Sequence, residues 1–249
     1  MRLLKLLALS GVFLIVAAVL WILHFPNVTT LGDTRRTYAF ELPDRAGKRH
    51  THFLGPNTPT WCPVRQTSKA LRTCVVASED DRFYTHHGFD LRELQESLKI
   101  NIRKGGYVRG ASTITMQLAR NLFLSGEKTL QRKASEALLT LWLEGTLEKD
   151  RILDLYLNVV EWGSGIRGIG AASRRYYAKR PSALTWGESA YLAVMLPNPH
   201  HYNPRSRPVT LRARQRRLVE RLIREKRIPP TFRGEARNAP KPRALLKRD

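Results

Sequence analysis

Residues 68–104 have the sequence SKALRTCVVASEDDRFYTHHGFDLRELQESLKINIRK, in which a loop rich in acidic and aromatic residues joins two helical patterns. Ser68 or Thr67 is suited to cap the first helix, because a side-chain oxygen there accepts a hydrogen bond from an unpaired amide of the first turn. Asp90 stands in the same position before the second helix. The apolar residues of that helix follow helical spacing: Leu91, Leu94, Leu98 and Ile102. The stretch therefore predicts a helix–loop–helix unit.

The rest of the chain continues the helical pattern. Further helices are expected behind the N-caps Ser112, Thr129 and Thr185, from Lys149 to Val160, over AASRRYYA and over VTLRARQRRLVERLIREK. Residues 67–228 show no alternation typical of strands. Residues 26–66, rich in Thr, Pro and Gly, predict an irregular approach to the domain. The expected fold is mainly α.

An uncharged segment lies near the start of the chain. Residues 6–23 contain no charged side chain, and Arg2 and Lys5 precede them. A run of about 18 apolar residues is long enough for a transmembrane helix. A cleaved signal peptide has a shorter apolar core and a cleavage site of small residues, whereas this run ends in WILHF. The pattern favours an uncleaved membrane anchor.

These patterns divide the chain into five segments. We expect a cytoplasmic tail (residues 1–5), a transmembrane anchor (6–25), a juxtamembrane approach (26–60), a globular domain (61–204) and a basic C-terminal helix and tail (205–249). The basic residues before the anchor favour a cytoplasmic N-terminus with the domain outside, although Arg35 and Arg36 weaken that bias.

The net charge of +22 is concentrated near the end of the chain. From Arg205 onward there are sixteen Lys and Arg residues against four Asp and Glu. Such a balance is common in nucleic-acid binders, but on an anchored domain it suits anionic lipid headgroups, and a solvated basic helix explains it as well. The segment lacks interleaved aromatic residues. We therefore expect no nucleic-acid partner.

Cys62 and Cys74 are the two cysteines. In an oxidising compartment they could close a short loop as a disulfide, or they could remain buried free thiols; their spacing does not decide between these. Without neighbouring His partners they do not predict a zinc site.

Glu79 follows the apolar run VVA at the expected end of a helix. Burial there disfavours the charged carboxylate and raises its pKa toward that of a general base. The adjacent Asp80 and Asp81 are expected to repel it and to shift the pKa in the same direction. An acidic triplet by itself, however, is more typical of a solvated helix end.

The segment GASTITMQLARN places polar residues on one helical face: Thr113, Gln117, Arg120 and Asn121. The opposite face is apolar. Taken alone, such a polar face is explained by contact with water.

A third group combines cations with a carboxylate. Glu136 lies four residues after Arg132 and three after Lys133, so the three side chains share a helical face. The group forms either an ordinary intrahelical ion pair or a site where a diphosphate meets fixed cations beside a carboxylate.

Five segments in this order resemble the successive motifs of the peptidoglycan glycosyltransferases, which polymerise lipid II: SEDDRFYTHHGFD, RGASTITMQLARN, QRKASEALLTLWLE, KDRILDLYLNVVEWG and GIGAASRRYY. The resemblance runs from about Trp61 to Pro204, and the short basic tail after it is similar to the monofunctional form without a transpeptidase domain. It implies a mainly α, lysozyme-like fold, in which a large lobe and a small membrane-proximal lobe flank a cleft. A flap is expected near Leu124–Thr129.

The resemblance also implies residue roles. Glu79 is expected to be the general base that takes the proton from the 4-hydroxyl of the acceptor lipid II, and Glu136 the second catalytic glutamate, on the donor side. Substrate-binding positions are expected at Asp80, His86, Ser112, Thr113, Gln117, Arg120, Asn121, Lys128, Arg132 and Lys133. The last three are expected near the donor pyrophosphate. Arg120 stands where the family commonly has Lys, which keeps the charge but changes its geometry.

The implied reaction forms β-1,4-linked glycan with inversion and releases undecaprenyl diphosphate. The sequence requires no cofactor and contains no dedicated metal-ligand cluster, and Mg²⁺ or another divalent cation is compatible with the family, with Asp80 as the candidate contact. Expected partners are lipid II, the growing glycan chain, the bacterial plasma membrane and the cell-wall synthesis machinery. The expected location is the bacterial inner membrane, crossed once, with the catalytic domain on the periplasmic side.

Two other classes of function remain open from the sequence. A lysozyme-like hydrolase or lytic transglycosylase would cleave the same polymer with a general-acid glutamate, but it has no need of clustered cations. A non-catalytic scaffold of the cell-wall machinery would not depend on Glu79.

Overall fold

The computed structural model describes residues 26–44, 46–127, 129–202, 204, 207–238 and 242. Within these residues the chain forms one antiparallel hairpin and nine α-helices. The strands are β1 (Tyr38–Pro43) and β2 (Arg49–Leu54); the helices are α1 (Lys69–Glu79), α2 (Leu91–Lys104), α3 (Ile114–Phe123), α4 (Leu130–Thr146), α5 (Lys149–Val159), α6 (Ile169–Tyr177), α7 (Trp186–Ala193), α8 (Pro208–Arg224) and α9 (Arg233–Arg237). The expectation of a mainly α fold is confirmed.

The helix starts follow the capping residues of the sequence. Ser68, Asp90 and Thr129 each accept a backbone N–H of the first turn, and Thr185 forms a reciprocal capping box with Glu188. The expected N-cap Ser112 is wrong by one residue. Thr113 caps α3 instead, because its hydroxyl accepts the amide of Met116.

The hairpin corrects the expectation of an irregular segment over residues 26–66. β1 pairs with β2 from Tyr38 opposite Leu54 to Pro43 opposite Arg49. β2 (RHTHFL) is mostly exposed, so it lacks the alternation of apolar and polar residues by which a strand is recognised in sequence. The hairpin contacts α3 through β1 and α5 through β2. The ring of Phe40 in β1 packs edge-to-face on Phe123 of α3.

Two groups of helices make the core. α1 packs against α7 and α8, whereas α3 packs against α4 and α5. The largest fully buried side chains include Trp162, Tyr156 and Tyr191. The C-terminal residue of α1, Glu79, thus lies where the first helical group meets the second. There α3 contributes the neighbouring polar residues.

The helix α2 differs from the rest, because it buries a polar residue and exposes its apolar stripe. Ser97 is its buried position, while the stripe is 53% to 73% exposed: Leu91, Leu94, Leu98 and Ile102. Asn101 binds the loop that follows, donating to the carbonyl of Arg109 and accepting the amides of Val108 and Arg109. The helix and loop therefore form one unit with an outward apolar face.

Both cysteines are buried free thiols in the structure, which decides between the two alternatives left by the sequence. The predicted tail and anchor, residues 1–25, lie outside the described residues, as does most of the chain after residue 238. No helix of the described part has both the length and the apolar character needed to cross a bilayer.

Candidate active site

The site is built around Glu79, the last residue of α1. The preceding two turns are buried against α7 and α8, including Val75, Val76 and Ala77. Asp80 is the C-cap, and its non-helical backbone (φ −163°) ends the helix after Glu79. The Glu79 carboxyl is left at the floor of a cavity of about 250 Å³, which Arg109, Ser112 and Arg221 also line.

The two oxygens of the Glu79 carboxyl have different surroundings. Oε2 accepts a hydrogen bond of 3.0 Å from Nε2 of Gln117. Oε1 is buried and has no partner among the described residues. Burial raises the pKa of Glu79 from its usual 4.5 to about 7, against Gln117, Arg214 and Ser78, which lower it. Such a carboxyl can take up a proton near neutral pH, and Oε1 is the atom available to receive it.

The acidic neighbours of Glu79 raise its pKa less than the sequence suggested. Asp80 is the smallest of the contributions that raise the pKa of Glu79. Asp81 pairs with Arg227. Desolvation, rather than repulsion within the acidic triplet, sets the proton affinity of this carboxyl.

Asp80, His86 and Thr113 hold the loop after α1 onto the start of α3. The carboxylate of Asp80 accepts the amide of Ile114 at 3.0 Å and lies 2.8 Å from Nε2 of His86. The Thr113 hydroxyl donates to the carbonyl of Gly88 at 2.6 Å. These predicted substrate-binding residues thus form hydrogen bonds within the protein. Their binding of substrate stays a prediction.

Gly88 is required where this loop crosses α4. Its φ is +88°, and a Cβ atom there would lie 2.8 Å from the methyl carbon of Thr140. A residue without a side chain permits both the left-handed backbone and the close approach. The motif loop is therefore set against the helix that carries Glu136.

The second group of predicted site residues is assembled on α4. Glu136 has a side chain only 1% exposed and forms ion pairs of 2.5 Å with both Arg132 and Lys133. Nε of Arg132 is buried without a partner in the described part of the chain, and the Lys133 side chain is 47% exposed. Each cation thus keeps donors that Glu136 does not use, as binding an anionic group requires.

The remaining predicted site residues differ in burial, and one of them lies outside the described residues. Gln117 is buried rather than on a water-facing surface, whereas Arg120, Asn121 and Ser112 are half-buried. Lys128 lies outside the described residues. The described hydrogen bonds do not join Glu136 to Glu79 directly; α3, which carries Gln117 and packs against α4, connects the two groups.

A comparison with family models matches residues 47–223 to the family described as Transglycosylase. The match covers more than half of the chain. This chain belongs to the transglycosylase family.

Curated relatives match the sequence of this transglycosylase over most of its length. It is similar to a protein of Azoarcus sp. (strain BH72), with 46% identity over 79% of this chain and 81% of the relative. It is also similar to proteins of Aromatoleum aromaticum, at 45% identity over 82% and 85%, and of Thiobacillus denitrificans, at 44% over 73% and 75%. All three relatives are named biosynthetic peptidoglycan transglycosylase.

Sequence reasoning missed residues that α8 and α5 bring to the site of this transglycosylase. From α8, Arg221 donates to the carbonyl of Ala77 and lines the cavity, and the charge of Arg214 acts on Glu79. From α5, the hydroxyl of Tyr156 donates to Gln117. The basic amphipathic pattern of α8 indicated a helix, but no local signal indicated which side chains reach a carboxyl more than 130 residues earlier in the chain.

A divalent cation does not fit the acidic cluster of the motif loop. Asp80, His86 and Asp90 offer ligand atoms within 4.8 Å of one another. Both oxygens of Asp90, however, accept hydrogen bonds from the guanidinium of Arg82, and one also caps α2 through the amide of Glu93. Mg²⁺ requires oxygen ligands free to coordinate it. We therefore assign no metal to this cluster, and a cation at the diphosphate stays a prediction.

Proposed function

We propose that this transglycosylase polymerises lipid II into the β-1,4-linked glycan strands of peptidoglycan and releases undecaprenyl diphosphate. The observation that carries the proposal is the buried Glu79 carboxyl, with a pKa of about 7, whose Oε2 is held by Gln117 and whose Oε1 has no partner among the described residues. The names of the curated relatives support the polymer class.

The proposed step is a single displacement. Oε1 of Glu79 takes the proton from the acceptor 4-hydroxyl, and that oxygen attacks the anomeric carbon of the donor. The bond between this carbon and the diphosphate oxygen breaks, so the electron pair leaves with the diphosphate. Attack from the face opposite an α-linked leaving group produces a β bond, which is inversion.

Charge develops on the leaving diphosphate, and the Glu136 group is suited to receive it. Arg132 and Lys133 are held in place by Glu136, and Nε of Arg132 has no partner among the described residues. These cations are already fixed where negative charge develops. They therefore stabilise the transition state without having to reorganise during the reaction. Glu136 thus acts on the donor side by orienting the cations.

Incubation of the full chain with labelled lipid II in detergent tests the proposal. We expect products that grow as a ladder of glycan lengths, with release of undecaprenyl diphosphate and no shortening of finished glycan strands. A lysozyme-like hydrolase or lytic enzyme would shorten the finished strands and leave lipid II unpolymerised, and that result would overturn the proposal.

The proposal includes a place in the cell. We place the chain in the bacterial inner membrane through residues 6–25, with its catalytic domain on the periplasmic side, where lipid II and the cell-wall synthesis machinery meet it. A lysozyme-like arrangement of two lobes, with a flap near residues 124–129, suits a polymer product that must leave the cleft. The uncharged N-terminal run supports the anchor.

The outward face of α2 supports a second contact with the bilayer. Its four apolar residues continue into Tyr107 and Val108, which are 85% and 65% exposed. Lys and Arg residues border this face, among them Arg92, Lys99 and Arg103. Apolar side chains bordered by cations are the pattern of helices that lie in the interface of an anionic membrane. The face would hold the site beside a substrate whose lipid stays in the bilayer.

A polarity-sensitive label distinguishes this face from the rest of α2. Leu98→Cys carries the label on the apolar stripe, and Glu96→Cys carries it roughly on the other side of the helix. Cys62 and Cys74 should stay unlabelled, because burial of both thiols raises their pKa. With the full chain in vesicles containing phosphatidylglycerol, spin-labelled lipid should quench the label at residue 98 and not at 96. Equal quenching at both positions, or none at either, would contradict the contact.

A further inference from the structure

The side-chain amide of Gln117 is held at both ends. Its Nε2 donates to Oε2 of Glu79 at 3.0 Å, and its Oε1 accepts the hydroxyl of Tyr156 at 3.2 Å. Tyr156 is fully buried on α5, and Gln117 is 9% exposed. The three side chains come from three different helices, α5, α3 and α1. They form a chain of hydrogen bonds that ends on the carboxyl of the proposed base.

The two ends of an amide have opposite effects on a neighbouring carboxyl. An N–H donor stabilises the charged carboxylate, whereas a carbonyl oxygen repels it and accepts from the protonated acid. Rotation of the Gln117 amide by half a turn would therefore change the proton affinity of Glu79. It would also remove the acceptor of the Tyr156 hydroxyl, and a buried donor without an acceptor is unfavourable.

We propose that Tyr156 is a positioning residue, whose hydroxyl holds the amide of Gln117 with its N–H group toward Glu79. This inference rests on the proposed role of Glu79 as the base. Tyr156 stays a neutral donor throughout the working pH range, because burial raises its pKa well above its ordinary value. Its hydroxyl therefore keeps the proton that it donates to Gln117, whatever the charge of Glu79.

Other charged groups that face Glu79 also influence its pKa. Arg214 and Arg221 approach from α8, Asp80 follows in the chain, and Arg82 and Arg109 line the same cavity. The cavity is also lined by three further carboxylates, those of Asp81, Asp90 and Glu93. The substitution Tyr156→Phe leaves all of these in place, so a change in the titration of Glu79 reports the amide.

Tyr156→Phe should shift the pH dependence of polymerisation. The phenyl ring leaves Oε1 of Gln117 without a donor, and the amide becomes free to turn its carbonyl toward a protonated Glu79. Both changes favour the acid form, so the midpoint of the acidic limb should move up by about 0.5–1 pH unit. At pH 6 the rate should then fall by about three- to tenfold, while KM for lipid II and the rate on the alkaline plateau stay close to wild type.

Two matched variants separate positioning from mere packing. Tyr176→Phe removes another buried tyrosine hydroxyl, which donates to the carbonyl of Trp162 at 3.0 Å, and should leave the midpoint unchanged. In the Gln117→Leu background, Tyr156→Phe should produce no further shift, because the amide through which it acts is gone. The ¹³C resonance of the Glu79 carboxyl, assigned by its loss in Glu79→Gln, should titrate higher in Tyr156→Phe without any substrate.

The outcomes separate the two proposals. An unchanged titration of Glu79 in Tyr156→Phe, with Glu79→Gln inactive, would overturn the positioning role and leave the proposed base intact. A rate that falls evenly at every pH would likewise mean that Tyr156 contributes only to packing. Retained activity in Glu79→Gln would instead overturn the proposed base.

Discussion

Glu79→Gln should reduce polymerisation of lipid II by about 10²–10⁴-fold, the range by which general-base catalysis accelerates reactions. The amide matches the carboxyl in size and can still face Gln117, but it cannot accept the proton of the acceptor hydroxyl. The rate of polymer formation by the full chain in detergent provides the measurement. The loss should appear mainly in kcat, because the interaction is made as the hydroxyl loses its proton.

The same substitution should stabilise the fold at alkaline pH. The pKa of Glu79 is about 7 in the folded chain and near 4.5 when exposed, so the folded state binds a proton more tightly than the unfolded state. Stability contributed by this group is therefore complete below about pH 4.5 and is lost as pH rises through about 7. At pH 8 the neutral Gln should raise stability by roughly 2–3 kcal/mol, and at pH 4 it should change little. Thermal melts at both pH values measure this.

A neighbouring acid is the control. Asp81→Asn removes a carboxylate two residues away, which is paired with Arg227, and should leave polymerisation within a few-fold of wild type. If Glu79→Gln kept full activity, polymerisation would not depend on this carboxyl as its base. If both variants were equally inactive, the site would depend on the acidic loop as a whole rather than on Glu79.

Glu136→Gln should lower polymerisation by about 10²-fold or more, because misplaced catalytic groups lose the benefit of preorganisation. A neutral amide attracts Arg132 and Lys133 less than a carboxylate does, so both cations gain freedom to leave the donor site. Removal of one charge from a buried ion pair also destabilises a fold by about 3–5 kcal/mol. The effect should be near the lower end here, because Lys133 is half exposed. Initial rates and thermal melts measure the two effects separately.

Glu144 is a matched control on the same helix. It pairs with Lys149 and accepts the hydroxyl of Thr115, and its side chain is 5% exposed. Glu144→Gln should therefore lower stability comparably while leaving the rate within a few-fold of wild type. Loss of activity in both variants to the same extent would mean that stability, rather than placement of the cations, explains Glu136→Gln.

The helices were largely predictable because their signals are local. Helix starts were expected at Ser68 or Thr67, at Asp90 and at Thr129 from the residue type and the apolar spacing that follows, and in the structure Ser68, Asp90 and Thr129 cap those helices. The hairpin was missed because β2 exposes most of its side chains and shows no apolar alternation. It is stabilised by pairing with β1 and by contacts of β1 with α3 and of β2 with α5, which are distant in sequence.

The sequence named candidate residues for the site but did not show how they are arranged. Glu79, Gln117 and Glu136 were named through the resemblance to the family, and helical spacing alone placed Glu136 on one face with Arg132 and Lys133. The buried state of Gln117 was not predictable, since on its own helix it belongs to a polar face. Its partners Glu79 and Tyr156 lie 38 residues before and 39 residues after it.

By itself, the sequence determined the mainly helical fold and the start of most helices, and its resemblance to the family named the two glutamates as candidates. Spacing on one helix and capping at its first turn are properties of a few neighbouring residues. Only the tertiary structure decided that Glu79 is desolvated, that Gln117 connects it to Tyr156, and that α8 brings Arg214 and Arg221 beside it. Burial depends on which helices pack over a residue, and the proton affinity of a carboxyl depends on burial.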